Sequence, residues 1–233
     1  MTDFSVSNLR DSMYSVFAHM DTLRVTARYC EQTDSIRAWR QRQMHVAYDL
    51  GPGLWRCQSW RSWWQAPDLW RNECSPFGQP DDIASGLLVQ GAQWHSYHTP
   101  YPVVQSASGT VHAGQVPLLS GIGGASARDN ARAWEWIDPS WLAQWPWQFS
   151  LETLDSGQAV WHGILRGPVW SAPSFLHQLF QIGDLFECWI EQDSGLPQRL
   201  TARSDEGLLW ELAVVERQVN LPLSPSPFNL PRA

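Results

Sequence analysis

The chain has 233 residues, of which 43% are hydrophobic and 17% are charged, and this composition excludes a largely disordered protein. The formal net charge of −7 argues against a general nucleic-acid binder and against a protein that binds anionic membranes. No stretch approaches the ~20 apolar residues that a membrane-spanning helix needs. A folded domain with a sizeable core is therefore expected.

The first half of the chain predicts one helix followed by a series of strands. Val6, Leu9 and Met13 recur at helical spacing, and Ser5 can cap the start of this helix. The pattern then changes to an alternation of apolar and polar residues, which is typical of half-buried strands. Predicted strands cover residues 23–29, 44–50, 54–64, 69–74, 87–90 and 93–97.

The middle of the chain is harder to assign. Residues 99–147 are predicted as a loop-rich and helical insertion, with one strand near Val103. Helices are predicted within it over residues 127–136 and 138–145, the second with Asp138 as its cap. A hairpin follows, with one strand starting at Phe149 and its partner over residues 160–166; a helical turn is expected over 173–182.

The last third predicts a three-strand meander with one apolar and one charged face. Its strands centre on residues 186–190, 200–203 and 210–214 and are separated by turns that contain glycine. Glu187 and Glu191 share a face with Arg199 and Arg203, which predicts cross-strand ion pairs.

The four cysteines, Cys30, Cys57, Cys74 and Cys188, match no zinc-binding spacing. Because the N-terminus lacks the pattern of a signal peptide, four free thiols and a cytoplasmic location are expected. The alternative is the cell envelope, if a leader has been removed. Should a disulfide form, Cys57 and Cys74 are the pair to test first.

Short motifs give no credible catalytic, metal or cofactor site. His95 and His98 fall on opposite faces of the predicted strand, so they do not form a metal pair. Gly121, Gly123 and Gly124 lack the third glycine of a dinucleotide-binding fingerprint. The pattern therefore predicts a protein that is not an enzyme and that holds no metal or cofactor.

Tryptophan is unusually frequent, with 16 residues in the chain. Core packing is the simplest interpretation, and an aromatic-lined pocket or a partner surface is the alternative. Two clusters stand out: Trp55, Trp60, Trp63, Trp64 and Trp70, and then Trp134, Trp136, Trp141, Trp145 and Trp147.

A family resemblance is carried by the turns near the end of the chain. Trp189-Ile190-Glu191 precedes the turn Ser194-Gly195-Leu196-Pro197, and Arg199-Leu200 follows it. Phe228-Asn229-Leu230-Pro231 closes the chain, and Pro67-Asp68-Leu69-Trp70-Arg71 looks like a strand entry of the same family. In these motifs and in the order of its elements, the sequence resembles the periplasmic lipoprotein carriers, the LolA-like and mycobacterial LppX-like proteins.

This resemblance implies an α+β fold over residues 1–233 as a single domain. The fold would be a strongly curved antiparallel sheet, an unclosed barrel, with an N-terminal helix and with helices covering its open side. The implied function is non-enzymatic binding or carriage of a lipid or acyl chain in a concave apolar cavity. The alternative is a regulatory or protein-interaction module whose cavity is filled by its own side chains. The predicted ligand-binding residues are Val25, Met44, Val46, Phe149, Phe186, Ile190, Leu200, Trp210 and Leu212.

Overall fold

The structure, a computed structural model, describes residues 6–45, 55–65, 69–76, 78–79, 85–90, 93–98, 101–108, 145–167, 182–223 and 226–228. In these ranges the helices are α1 (Val6–Ala18) and α2 (Thr33–Met44). A short 3-10 turn covers Ser226–Phe228. The strands are β1 (Thr22–Gln32), β2 (Trp55–Gln65), β3 (Leu69–Pro76), β4 (Ser85–Gln90), β5 (Gln93–His98), β6 (Tyr101–Ser108), β7 (Gln148–Thr153), β8 (Ala159–Arg166), β9 (Leu185–Glu191), β10 (Pro197–Ser204) and β11 (Gly207–Val219).

The strands form one sheet in the order β6-β5-β4-β3-β2-β1-β11-β10-β9-β8-β7. Neighbours from β2 to β6, and from β7 to β11, pair in antiparallel fashion. Most of these neighbours also follow one another in the sequence, so the sheet consists largely of antiparallel pairs of consecutive strands. The predicted α+β class with an antiparallel sheet is confirmed.

Most elements predicted from periodicity are present. The N-terminal helix, the strand near Val103, the hairpin of β7 and β8 and the closing meander are confirmed. The helices predicted over residues 127–136 and 138–145, and most of the helical turn over 173–182, lie outside the described residues.

The strand predicted over residues 44–50 is wrong at its first residue, because Met44 ends helix α2. The Gln32 side chain caps this helix by accepting a 2.8 Å hydrogen bond from the Ser35 amide. The helix ends where His45 adopts a left-handed conformation and its amide binds the Gln41 carbonyl. Glutamine is not among the preferred capping residues, so the sequence gives no clear signal for the start of this helix. Val46 and the rest of that predicted strand lie outside the described residues.

Spatial contacts divide the chain into two interleaved units. The first comprises Met1–Ala18, Tyr29–Cys57 and Pro139–Ala213, and the second comprises His19–Arg28, Gln58–Asp138 and Val214–Ala233. The first unit contains both helices and β7 to β10. The second contains β3 to β6 and most of β2. The prediction of a single domain over 1–233 stays a prediction.

The prediction of four free thiols is wrong. Cys30 near the end of β1 and Cys57 near the start of β2 form a disulfide, while Cys74 and Cys188 are free and buried. These two strands are neighbours in the sheet, which brings together cysteines that are 27 residues apart in the sequence. The pair proposed for testing, Cys57 with Cys74, is therefore also wrong.

Candidate functional site

The candidate site is an apolar face of the sheet in the first unit. Leu200 of β10 lies between Leu212 of β11 and Cys188 of β9. Because side chains alternate along a strand, every second residue of these strands joins the same face. Each member is at most 2% exposed. This apolar face consists of Leu165, Phe186, Cys188, Ile190, Leu200, Ala202, Trp210 and Leu212.

Aromatic rings fill the centre of this face. The Trp210 ring lies 6.2 Å from the Phe186 ring and 6.4 Å from the Tyr29 ring, measured between centroids, in tilted arrangements. The indole N–H of Trp210 donates a 2.9 Å hydrogen bond to the Ile182 carbonyl. A buried indole needs such an acceptor, so this bond fixes the ring's orientation.

The Phe186 ring is held close to the backbone at two glycines. A Cβ atom added at Gly183 would lie 2.9 Å from both the Phe186 ring and the Ala202 Cβ. One added at Gly167 would also clash with the Phe186 ring. At either position the added Cβ atom would lie closer to the Phe186 ring than Cβ atoms lie to their neighbours in real structures. Glycine is therefore needed at both positions for this packing. No ligand group fits between the Phe186 ring and these two glycines.

Helix α2 is tied to the edge of the apolar face by polar contacts. Arg42 forms ion pairs of 2.6 Å with Asp184, just before β9, and of 2.9 Å with Glu206 in the β10–β11 turn. The Trp39 indole N–H donates a 3.0 Å hydrogen bond to Asp184. Trp39 itself is buried, whereas the ion pairs are partly exposed and individually weak.

The opposite face of the same strands is polar. His162 of β8 contacts Glu152 of β7 through Nδ1 at 2.7 Å and Glu187 of β9 through Nε2 at 3.3 Å. The hydrogen bond with His162 lowers the pKa of the Glu152 carboxyl. Arg203 donates a 3.0 Å hydrogen bond to Glu187, which confirms one predicted cross-strand ion pair. The His162 ring stacks on Trp189 at 4.7 Å.

The other predicted ion pair has different partners. Arg199 donates a 2.6 Å hydrogen bond to Glu211 of β11, and its guanidinium lies over the Trp189 ring at 4.9 Å. Glu191 instead accepts hydrogen bonds from Ser194 and Gln198. The predicted charged face is confirmed, but Arg199 and Glu191 bind partners that could not be identified from periodicity.

Solved structures resemble this architecture, whereas comparison of the sequence alone gives no match. No protein-family model matches the chain, and no curated protein matches its sequence. An uncharacterized conserved protein from Thermus thermophilus is similar over 98% of this chain and 96% of its own, with 12% identity and a TM-score of 0.52. Mycobacterium tuberculosis lipoprotein LppX is similar over 96% and 99%, with 14% identity and a TM-score of 0.42.

The TM-score with the Thermus thermophilus protein is above 0.5, so this similarity shows that the two chains share a fold. The similarity also extends to the Pseudomonas aeruginosa MucA/MucB complex, over 95% of this chain but only 60% of that chain, with 13% identity and a TM-score of 0.42. This chain thus spans less than two thirds of that relative. At these identities the similarity shows the fold alone.

Five of the predicted ligand-binding residues meet on the apolar face of β8 to β11. Phe186, Ile190, Leu200, Trp210 and Leu212 are there, and none of them is exposed to solvent. Their assignment to a ligand stays a prediction.

The other four predicted residues do not all join this group. Phe149 of β7 is partly buried and lies opposite Gly163 of β8. Val25 is buried but belongs to the second unit. Met44 ends α2, and Val46 lies outside the described residues.

Two aromatic residues of this region were missed as candidates. Tyr29 continues the alternation of β1 and could have been added from the sequence. Trp39 could not, because its helix was not predicted.

The described ranges contain no group of three or more His, Cys, Asp or Glu side chains arranged to hold a metal ion. In the same ranges, no helix is both long enough and apolar enough to cross a membrane. Burial raises the pKa of the Cys188 thiol well above its usual range, so this cysteine is held as the unreactive thiol.

Proposed function

We propose that the protein binds an apolar molecule, a lipid or an acyl chain, without catalysing a reaction. The observation that supports this most is the uninterrupted apolar face of β8 to β11, opposite a face that carries nearly all of the local charge. An acyl chain on this face would gain roughly 0.8 kcal/mol for each buried methylene.

Binding would require the face to open, because Phe186, Leu200 and Trp210 have no exposed surface. Movement of α2 is one route to opening, since it is attached partly through the partly exposed ion pairs of Arg42. Weak surface ion pairs cost little to break, whereas withdrawing Trp39 from its buried position costs more. The free energy gained by burying the ligand must exceed the cost of opening the face. Tight binding therefore requires a long acyl chain.

We further propose that the protein works in the cell envelope rather than in the cytoplasm. The Cys30–Cys57 disulfide supports this location, because disulfides persist in oxidising compartments and are rare in the cytosol of mesophiles.

The test is binding of an environment-sensitive apolar dye to the native protein, with displacement by a fatty acid. Trp210→Phe should weaken binding, because it alters the centre of the face and frees the Ile182 carbonyl. Arg203→Ala, on the polar face, is the matched control and should leave binding unchanged. A folded protein that takes up no dye and carries no extractable lipid would contradict the proposal.

A second candidate is a protein-interaction module on the same fold. The complete burial of the five predicted lining residues favours it, because a face filled by its own side chains needs no ligand. In that case the protein would act through an outer surface, and neither dye nor fatty acid would bind.

A further inference from the structure

The C-terminal part of the chain rests on one face of β2 to β4 in the second unit. Phe228, in the short turn Ser226–Phe228, is 6% exposed and packs against the buried Leu88 of β4. Trp63, Leu69 and Leu223 are partly buried around this pair. The result is an apolar pocket that holds one aromatic side chain.

Two side chains of the sheet hold the backbone on either side of this pocket. Arg71 of β3 donates a 2.8 Å hydrogen bond to the Pro227 carbonyl, and Gln90 of β4 donates a 2.9 Å bond to the Phe228 carbonyl. Both donors bind main-chain atoms, so they fix the path of a peptide without selecting its side chains. Selection comes only from the aromatic pocket. This combination is typical of peptide recognition.

Burying Arg71 costs more free energy than would be needed if the residue served only to anchor the segment around Phe228. It is 8% exposed and pairs with Glu73, which is 4% exposed and also accepts a 2.9 Å hydrogen bond from Arg61. Burying such a pair costs desolvation energy, and apolar residues of similar size often stabilise a fold as well. What the pair adds is a rigid N–H donor aimed at a peptide carbonyl.

We propose that this surface, formed by Trp63, Leu69, Arg71, Leu88 and Gln90 and named here the peptide groove, recognises a short segment of a partner protein that forms a turn on it, as Ser226–Phe228 does. The segment would carry a proline followed by an aromatic residue, as Pro227 and Phe228 do. The chain's own end occupies the groove when no partner is bound. This proposal is independent of the apolar-ligand proposal, because the groove lies on other strands.

The chain's own segment is tethered close to the groove that it occupies. Asn220 anchors it: the Asn220 side chain accepts a 2.7 Å hydrogen bond from the Asp21 amide and donates one of 3.3 Å to the His19 carbonyl. Only six residues separate Asn220 from Pro227, so the effective concentration of the segment at the groove is high. The sequence from 221 to 233 contains four prolines, whose fixed φ lowers the entropy that the segment loses when it binds. A partner must compete with this tethered segment.

The test uses a fluorescent synthetic peptide with the sequence of residues 221–233. Full-length protein with Phe228→Ala has an unfilled pocket and should bind the peptide at least 10-fold more tightly than the wild type does. A peptide that itself carries Phe228→Ala is the matched control and should not bind. Adding Arg71→Gln to the protein should abolish the gain. A folded Phe228→Ala protein that binds no peptide would overturn the proposal.

A second measurement needs no variant protein. Chymotrypsin cleaves after an aromatic residue only when that residue is accessible, so an excess of the shorter peptide 221–228, which has no bond after Phe228 to be cleaved, should accelerate cleavage of the wild type after Phe228 by displacing it. An unchanged cleavage rate would overturn the proposal. So would light scattering that reveals a wild-type dimer whose ends exchange between copies, because a second copy would then be the occupant.

Discussion

Replacing Leu212 by alanine tests the packing of the apolar face most sharply. Leu212 has no exposed surface and lies opposite Leu200, which is equally buried. The substitution removes three buried carbon groups, which at ~0.8 kcal/mol each contribute roughly 2.4 kcal/mol. The cavity left behind adds to this, because the neighbouring strand positions can collapse only partly. We expect Leu212→Ala to lower the free energy of unfolding by about 2–5 kcal/mol.

Arg203→Ala is the matched control on the polar face of the neighbouring strand. The Arg203 side chain is 45% exposed and makes a 3.0 Å ion pair with Glu187. An ion pair with this exposure contributes little, so the loss should stay below about 1 kcal/mol.

Both variants are to be compared with the wild type by urea denaturation, followed by far-UV circular dichroism and tryptophan emission. Coincident transitions in the two signals are required before the free energies can be compared. Equal losses for Leu212→Ala and Arg203→Ala would refute the assignment of the two faces, because a shift of one residue in the strand exchanges them.

Three further predictions concern the cysteines and the polar face. Titration of the denatured, unreduced protein should find two free thiols, and reducing Cys30–Cys57 should lower the free energy of unfolding by about 3.5 kcal/mol for its 27-residue loop. Cys188 should resist alkylation in the folded protein at pH 8 and react once urea unfolds it; rapid modification of the native state would contradict its burial. The His162 bond lowers the pKa of Glu152, so its stabilising contribution is complete above the ordinary carboxyl pKa and is lost as pH falls through the lowered value. Thermal denaturation should therefore separate Glu152→Gln from the wild type at neutral pH and not in strong acid; an equal gap at both pH values would argue against this bond.

Periodicity predicted much of the sheet because strands such as β1 and β9 have one buried face and one face that is partly exposed. Phe186, Cys188 and Ile190 alternate with charged or partly exposed residues, and the burial pattern follows this alternation. Helix α2 escaped prediction because its buried face consists mainly of Ile36 and Trp39, and most of its other residues are polar. Two apolar positions three residues apart are too few to define a helical period.

Contacts between distant residues could not be predicted from local pattern. The spacing of Cys30 and Cys57 in the sequence does not show that β1 and β2 are neighbours in the sheet. The disulfide can therefore be predicted only when the strand order is known. The same holds for Asp184, which binds Trp39 and Arg42 from a different part of the chain. Apolar lining residues could be chosen from alternation, but alternation does not tell whether their face is open or filled.

The most direct test of the proposed function is native mass spectrometry of the intact, oxidised protein, followed by solvent extraction. We expect a bound species heavier than the chain by the mass of a lipid or fatty acid, recovered in the extract and displaced by added fatty acid. A single species at the mass of the chain alone, unchanged after incubation with fatty acid or phospholipid, would contradict apolar-ligand binding.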